Sequence, residues 1–380
     1  MSHASVVIIG GGAMGVSAAY HLARAGVRDV VLLERGALGE GSTCRAAGGV
    51  RAQFSDEVNI LLGHRSLDTF ERFATTFHQE IDLHQVGYLF LLDTAESVTT
   101  FEANIALQNS LGVSTHMISP REALALSPGI STDGLLAAAW APRAGHCSPE
   151  SVVLGYATAA RRLGAQLVTG CEVTDIEVVD GAVAAVVTDR GRIHTDTVVC
   201  AAGAWSGQVG SLAGVDLPVT PLRRQVLITE PVASVSATTP FTIDFSTSYY
   251  FHHEGKGLLL GMSDPDETPG FELGRSEAWL PRLGEAMARR TPSFTEVGIR
   301  GGWAGLYEVT PDHNALIGEA NGVSRFLYAT GFSGHGFLMA PAVGEIVRDL
   351  YLGTPPVIDV SSLDVARFDA GAARPETTIV

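Results

Sequence analysis

Cysteine is scarce. The 380 residues hold four, Cys44, Cys147, Cys171 and Cys200, and no two of them are spaced as CxxC. That argues against a disulfide framework or a zinc ribbon, and free thiols in a reducing compartment are expected. Charge is also sparse, at 17% of residues, and basic charge is the scarcer kind. Lys and Arg number 25 against 41 Asp and Glu, for a formal net charge of −16. This balance argues against nucleic acid or an anionic membrane surface as a partner. No apolar run reaches the ~18–20 residues that span a bilayer. No basic and apolar leader precedes the first strand, so a cytoplasmic location is expected. His252 and His253 are adjacent and face opposite sides of a strand, which makes them poor co-ligands. No metal is expected. Internal repeats and low-complexity segments are absent.

What is present is an apolar chain, 46% hydrophobic and long enough for two domains with cores of their own. Its start is the most informative stretch. Val6-Val7-Ile8-Ile9 reads as a short buried strand. Gly10-Gly11-Gly12-Ala13-Met14-Gly15 then turns it into a helix that begins near Ala13. Gly10 allows the tight turn, Gly12 lets the backbone close on a pyrophosphate, and Gly15 lets the helix pack on the strand. The free N–H groups at the helix start favour phosphate charge. A second apolar strand, Val30-Val31-Leu32-Leu33, ends in Glu34, which can accept a hydrogen bond from a ribose 2′-hydroxyl.

Small residues from Gly41 through Gly49 place backbone beside something flat and bulky. One helix is expected from Asp56 to Phe77. The strands and helices between Val86 and Trp140 do not continue the nucleotide fold and read as a second domain on a mainly antiparallel sheet. Pro149 to Leu163 returns to helix. Val173–Val179 and Ala182–Thr188 form a hairpin about Asp180-Gly181. Thr197 to Trp205 is a strand ending in small residues, where ligands of open α/β sheets bind. Strands beginning near Arg224, Ser248 and Gly257 resume the second domain. A further strand, Phe326 to Ala329, leads into a second glycine turn, Thr330 to Gly336, and a helix from about Pro341. The expected boundaries are 1–83, 145–215 and 300–369 for the nucleotide domain, 84–144 and 216–299 for the second domain, and 370–380 for a flexible tail. The fold class is α/β, a Rossmann-like nucleotide domain with a second α+β domain that takes the substrate.

Two glycine turns without a second GxGxxG suggest one large nucleotide held end to end. Gly10 to Gly15, Gly41-Ser42, Ala201-Ala202-Gly203-Ala204-Trp205, Thr310-Pro311-Asp312 and Gly331-Phe332-Ser333-Gly334-His335-Gly336 together resemble the FAD-dependent D-amino acid oxidase superfamily. The resemblance covers nearly the whole chain. Gly48-Gly49-Val50-Arg51 with Gln53-Phe54-Ser55, and Trp303 through Glu308, resemble its sarcosine oxidase branch, with the β-subunits of heterotetrameric sarcosine oxidase and of L-proline dehydrogenase.

The resemblance implies a glutathione-reductase-like FAD domain and oxidation of a C–N bond by hydride transfer to flavin N5. It implies FAD contacts from Gly10, Gly12, Ala13, Met14, Gly15, Glu34 and Arg35. Ser42, Thr43, Ala47, Gly48 and Gly49 follow, then Val173, Ala202, Gly203 and Trp205. The last set is Gly305, Gly331, Gly334, His335, Gly336 and Phe337. Arg51 stands where that branch places a carboxylate-binding arginine, a job suited to its fork. Tyr250 and Tyr307 match positions that line the substrate pocket, and His335 one beside the flavin. These four are the candidate catalytic residues.

The departures shape the reading further. Tyr307 stands where D-amino acid oxidases carry a carboxylate-binding arginine. Gly305 stands where monomeric sarcosine oxidases link FAD through cysteine, and Pro149 where heterotetrameric ones carry a flavin-bearing histidine, so non-covalent FAD is expected. Leu338 and Leu259 replace lysines of monomeric sarcosine oxidase, which favours a dehydrogenase, or an oxidase with another oxygen site. The substrate expected is a secondary or N-substituted amino acid, and the acceptor O2 or another oxidant. An assembly of like or unlike chains stays open. The competing readings are a 2-hydroxy acid dehydrogenase, with His335 as base, and a flavoprotein subunit or assembly factor without turnover.

Overall fold

Val6–Ile9 forms strand β1, buried at every position. Helix α1, Ala13–Arg24, follows, and then β2, Val30–Leu33. The computed structural model describes residues 2–233 and 235–379. β1 lies inside a six-stranded sheet with the order 316–319, 326–330, 198–200, 6–9, 30–33, 166–168. All neighbours run parallel except the first pair. Parallel strands are covered on both faces, which is why these read as unbroken apolar runs. Val6 and Ile8 pack on one side with α1 and the helices Pro149–Arg162 and Gly336–Leu352. Val7 and Ile9 pack on the other, against the three-stranded sheet of 173–194. The hairpin of that small sheet turns at Asp180 and Gly181, both at positive φ, as a two-residue turn requires.

The second sheet has eight strands, in the order 299–309, 220–229, 257–262, 249–254, 241–244, 88–92, 137–141, 116–118. Only 241–244 with 88–92 is parallel. The sheet is mainly antiparallel, as expected. An ion pair holds its back. Arg290 Nε donates to Asp244 Oδ1 at 3.1 Å, with both side chains buried.

Four expectations need correction. The helix expected from Asp56 to Phe77 is two, Glu57–Glu71 and Phe73–Phe77, broken at Arg72. The C-terminal helix begins at Gly336, with Pro341 inside it. Proline removes one helical N–H, and the next residue, Ala342, donates to Ser66 Oγ at 3.2 Å. The boundary expected between 299 and 300 falls in a continuous strand, Ile299–Val309, which pairs along its length with Thr220–Thr229. Residues 300–309 therefore belong with the eight-stranded sheet.

The tail expected to be flexible, 370–380, is anchored at Glu376, and its last residue, Val380, lies outside the described residues. The Glu376 carboxylate accepts from Ser55 N at 2.9 Å, Ser55 Oγ at 2.6 Å, Asp56 N at 3.1 Å, Asn59 Nδ2 at 3.0 Å and Thr378 N at 2.8 Å. Its own N–H donates to the Asp312 carbonyl at 3.0 Å. Asp312 is gripped in turn by the buried Arg367 fork, at 2.8 and 2.9 Å. The Thr310-Pro311-Asp312 motif thus fastens the segment around Glu376.

Candidate active site

A cavity of about 980 Å3 joins the first glycine turn, the second glycine turn and the inner face of the eight-stranded sheet. It sits at the upper end of small-molecule sites in size. At its outer end Gly10 has φ +113°, and an added Cβ there would collide with the Ala201 carbonyl. Ala13 N–H, in the first turn of α1, donates to Thr43 Oγ1 at 3.1 Å. Glu34 clamps the turn, accepting from Gly11 N at 2.7 Å and Gly36 N at 2.8 Å, one bond on each oxygen. Each oxygen keeps a lone pair for a ribose hydroxyl. Arg35 lies over the Trp205 ring at 4.3 Å. Removing the clamp leaves two turn N–H groups without their acceptors. We expect Glu34→Ala to weaken FAD binding about tenfold, or ~1.4 kcal/mol. Titrating the apoprotein with FAD by flavin fluorescence checks this, and an unchanged Kd would contradict it.

The middle of the cavity is walled by the loop after β2. Ser42 Oγ donates to the Leu306 carbonyl at 2.6 Å, and Arg45 Nη1 to the Ala304 carbonyl at 3.1 Å. These bonds staple the loop to the long strand Ile299–Val309. Gly48 and Gly49 have no room for a side chain. A Cβ at Gly48 would meet the Cys147 carbonyl, and one at Gly49 the Tyr88 hydroxyl. The protein's own packing thus requires glycine at both positions, and both line the cavity.

The inner end is aromatic and basic. His335 is the N-cap residue of the helix Gly336–Leu352, and its own side chain accepts no hydrogen bond from that helix's first turn. Its ring meets Phe54 edge-on at 4.9 Å. Burial, and then the charge of Arg51, lower the His335 pKa to about 3. The Tyr250 ring stacks on Phe241 at 5.4 Å, and a Cβ at Gly334 would approach the Tyr307 ring to 2.5 Å. Burial raises both tyrosine pKa values, so both hydroxyls keep their protons. Arg51 is 4% exposed and lies over the Phe54 ring at 4.1 Å. Its amino nitrogens donate to the Gln53 carbonyl and, at 2.7 Å, to the Thr378 carbonyl.

All four candidate catalytic residues line this cavity, and so do the candidate FAD contacts, with two exceptions. Gly15 lies behind the turn, packed on the Gly10 carbonyl, and Gly331 behind the second, packed on Thr310. Sequence reasoning missed Arg224 and Glu308, which also line the cavity. Strand alternation carried a signal for Arg224, which shares a face with cavity-lining Val226. Glu308 accepts from Thr330 Oγ1 at 2.8 Å and Gly331 N at 3.0 Å, and burial raises its pKa.

Residues 5–350 match the family model described as FAD dependent oxidoreductase. The chain belongs to that family. The cofactor is FAD, and the cavity fits it. Two helix N-termini face one space, backbone crowds the first glycine turn and side chains crowd the second, and Glu34 stands at the nucleotide end. L-proline dehydrogenase from P. horikoshii superposes with a TM-score of 0.92 at 34% identity, covering 98% of this chain and 100% of that one. Rat mitochondrial dimethylglycine dehydrogenase is 33% identical over 96% of this chain, which spans 45% of that protein's length. FAD-dependent oxidoreductase domain-containing protein 1 from Bos taurus is 31% identical over 99% of the chain and 87% of its own length.

Proposed function

We propose that this oxidoreductase oxidises the C–N bond of a secondary or N-methylated amino acid, proline- or sarcosine-like, to an imine. The observation that carries the reading is the inner end of the cavity. There Arg51, Arg224, Tyr250, Tyr307 and His335 line one space with the second glycine turn. The names of the proline and dimethylglycine dehydrogenases it resembles support it. Bound FAD supplies a two-electron acceptor for the hydride. The amine nitrogen's lone pair forms the C=N bond, so the amine must first lose its proton. Aromatic walls disfavour ammonium and promote that loss. The guanidinium groups favour a carboxylate.

Oxidising a 2-hydroxy acid instead would call for a base to take the hydroxyl proton. An imidazole with a pKa of about 3 is a weak proton acceptor, which favours the amine. Non-covalent FAD, a dehydrogenase rather than an oxidase, and a location in the cytoplasm belong to the same proposal. Among the described residues no helix is long and apolar enough to cross a membrane.

L-Proline, sarcosine or N,N-dimethylglycine should bleach the yellow holoenzyme anaerobically, with slow recovery in air. Acid precipitation should release the colour into the supernatant. Bleaching by 2-hydroxyglutarate alone would overturn the C–N assignment.

A further inference from the structure

The two arginines of the inner chamber are in different states. Arg51 is engaged on both amino nitrogens by backbone carbonyls and backed by the rings of Phe54 and Phe90, at 4.1 and 5.4 Å. It fastens the tail, through Thr378, to the segment that follows β2 and its loop. Arg224 has little. Its Nη1 donates to the neighbouring Arg223 carbonyl at 3.1 Å, and its Nε is buried without a partner. Its Cζ lies 5.3 Å from the centre of the Tyr307 ring. No carboxylate pairs with it among the described residues. Arg223, next along the strand and so on the opposite face, is paired with Glu267 at 2.9 and 3.2 Å. One arginine of this pair is thus satisfied by the protein, and the other faces the cavity with a donor to spare. A buried guanidinium N–H without an acceptor costs free energy, and a carboxylate received by the fork removes that cost.

We propose that Arg224 binds the substrate carboxylate, and that Arg51 is a positioning residue that ties the C-terminal segment to the chamber wall. The proposal rests on the reading of the substrate as a carboxylated amine. Planar 2-furoate, a carboxylate that cannot be oxidised at a C–N bond, separates binding from turnover. Titrated into the holoenzyme and followed by the flavin spectrum, it should bind the parent protein. Arg224→Gln should weaken it more than tenfold, and Arg224→Lys, which keeps the charge and loses the fork, by less. Arg51→Lys should change it less than threefold. Arg224→Gln should also raise KM for L-proline more than tenfold, with kcat changed less than threefold, and should cut the preference in kcat/KM for L-proline over pyrrolidine, which lacks the carboxylate, more than tenfold.

Unaltered furoate binding in Arg224→Gln overturns the proposal. So does a loss confined to Arg51→Lys, or no furoate binding by the parent. If only 2-hydroxy acids bleach the flavin, the amine reading fails. The furoate series then still decides Arg224.

Discussion

Lowering the pH from 7.5 to 5 should cut the stability of this protein by up to about 8 kcal/mol, because four histidines are buried without a proton. Burial lowers His21 to about 3, helped by Arg348, and both of its ring nitrogens lack hydrogen-bond partners. Burial lowers His146 to about 2, helped by His252, whose tilted ring lies 4.2 Å away, and its Nε2 is unpartnered. His335, at about 3, is the third, and His252, which burial lowers to about 4, is the fourth. In the unfolded chain each takes up a proton near pH 6.5. Below that pH the unfolded state binds more protons, so stability falls as pH falls, down to about pH 3. Each histidine contributes roughly 1.4 kcal/mol per pH unit, or about 2 kcal/mol by pH 5. Glu308 acts with the opposite sign. Its pKa is raised, so the folded state gains a proton first and offsets part of the loss. A domain's whole stability is about 5–15 kcal/mol, so a marked fall in stability by pH 5 is expected. Urea midpoints at pH 7.5 and 5 test it, and equal midpoints would show that water reaches these rings. His146→Phe should remove about a quarter of the pH dependence.

Gly15→Ala should give colourless or insoluble protein. The added methyl group would sit far inside contact distance of the Gly10 carbonyl oxygen. That oxygen is backbone and cannot swing away, so α1 would have to move. Its residues 13–23 are all buried, so moving it disturbs packing on every side. Overpacking of this kind costs about 1–3 kcal/mol or more, and it opens the turn that receives the pyrophosphate. Gly284→Ala is the control. It lies in the helix Leu280–Arg290 with nothing within 4 Å of the new methyl group. It should gain about 0.5–1 kcal/mol from helix propensity. Soluble Gly15→Ala protein with parental FAD affinity would overturn the argument.

The nucleotide end of the site could be read from the residues because its signals are local. Strand, turn, helix, second strand and Glu34 all lie within one short stretch, and glycine is the only residue its crowded backbone admits. The Ile299–Val309 strand was not legible. Gly301, Gly302 and Gly305 weaken its strand signal, and pairing with Thr220–Thr229 supplies what the residues lack. The tail was hidden for a related reason. Its exposed small and polar residues disguise Glu376, whose donors, Ser55, Asp56 and Asn59, lie far back in the chain. Arg224 was passed over because strand alternation says which residues share a face, and only the assembled sheet says which face meets the cavity.

The pairing of β1 has a consequence in time. Its partner Val198–Cys200 leaves the ribosome long after it, and the next strand, Phe326–Thr330, later still. At about 5–20 residues per second, the first wait is on the order of 10–40 s. Throughout it Val6–Ile9 remains an apolar segment with one flank uncovered, and the carbonyl of Ala201 that crowds Gly10 does not yet exist. The newborn chain therefore cannot hold its flavin cofactor until its final third has been made. Slower synthesis prolongs that exposure, and the yield of yellow protein should track the supply of chaperones that shield short apolar strands.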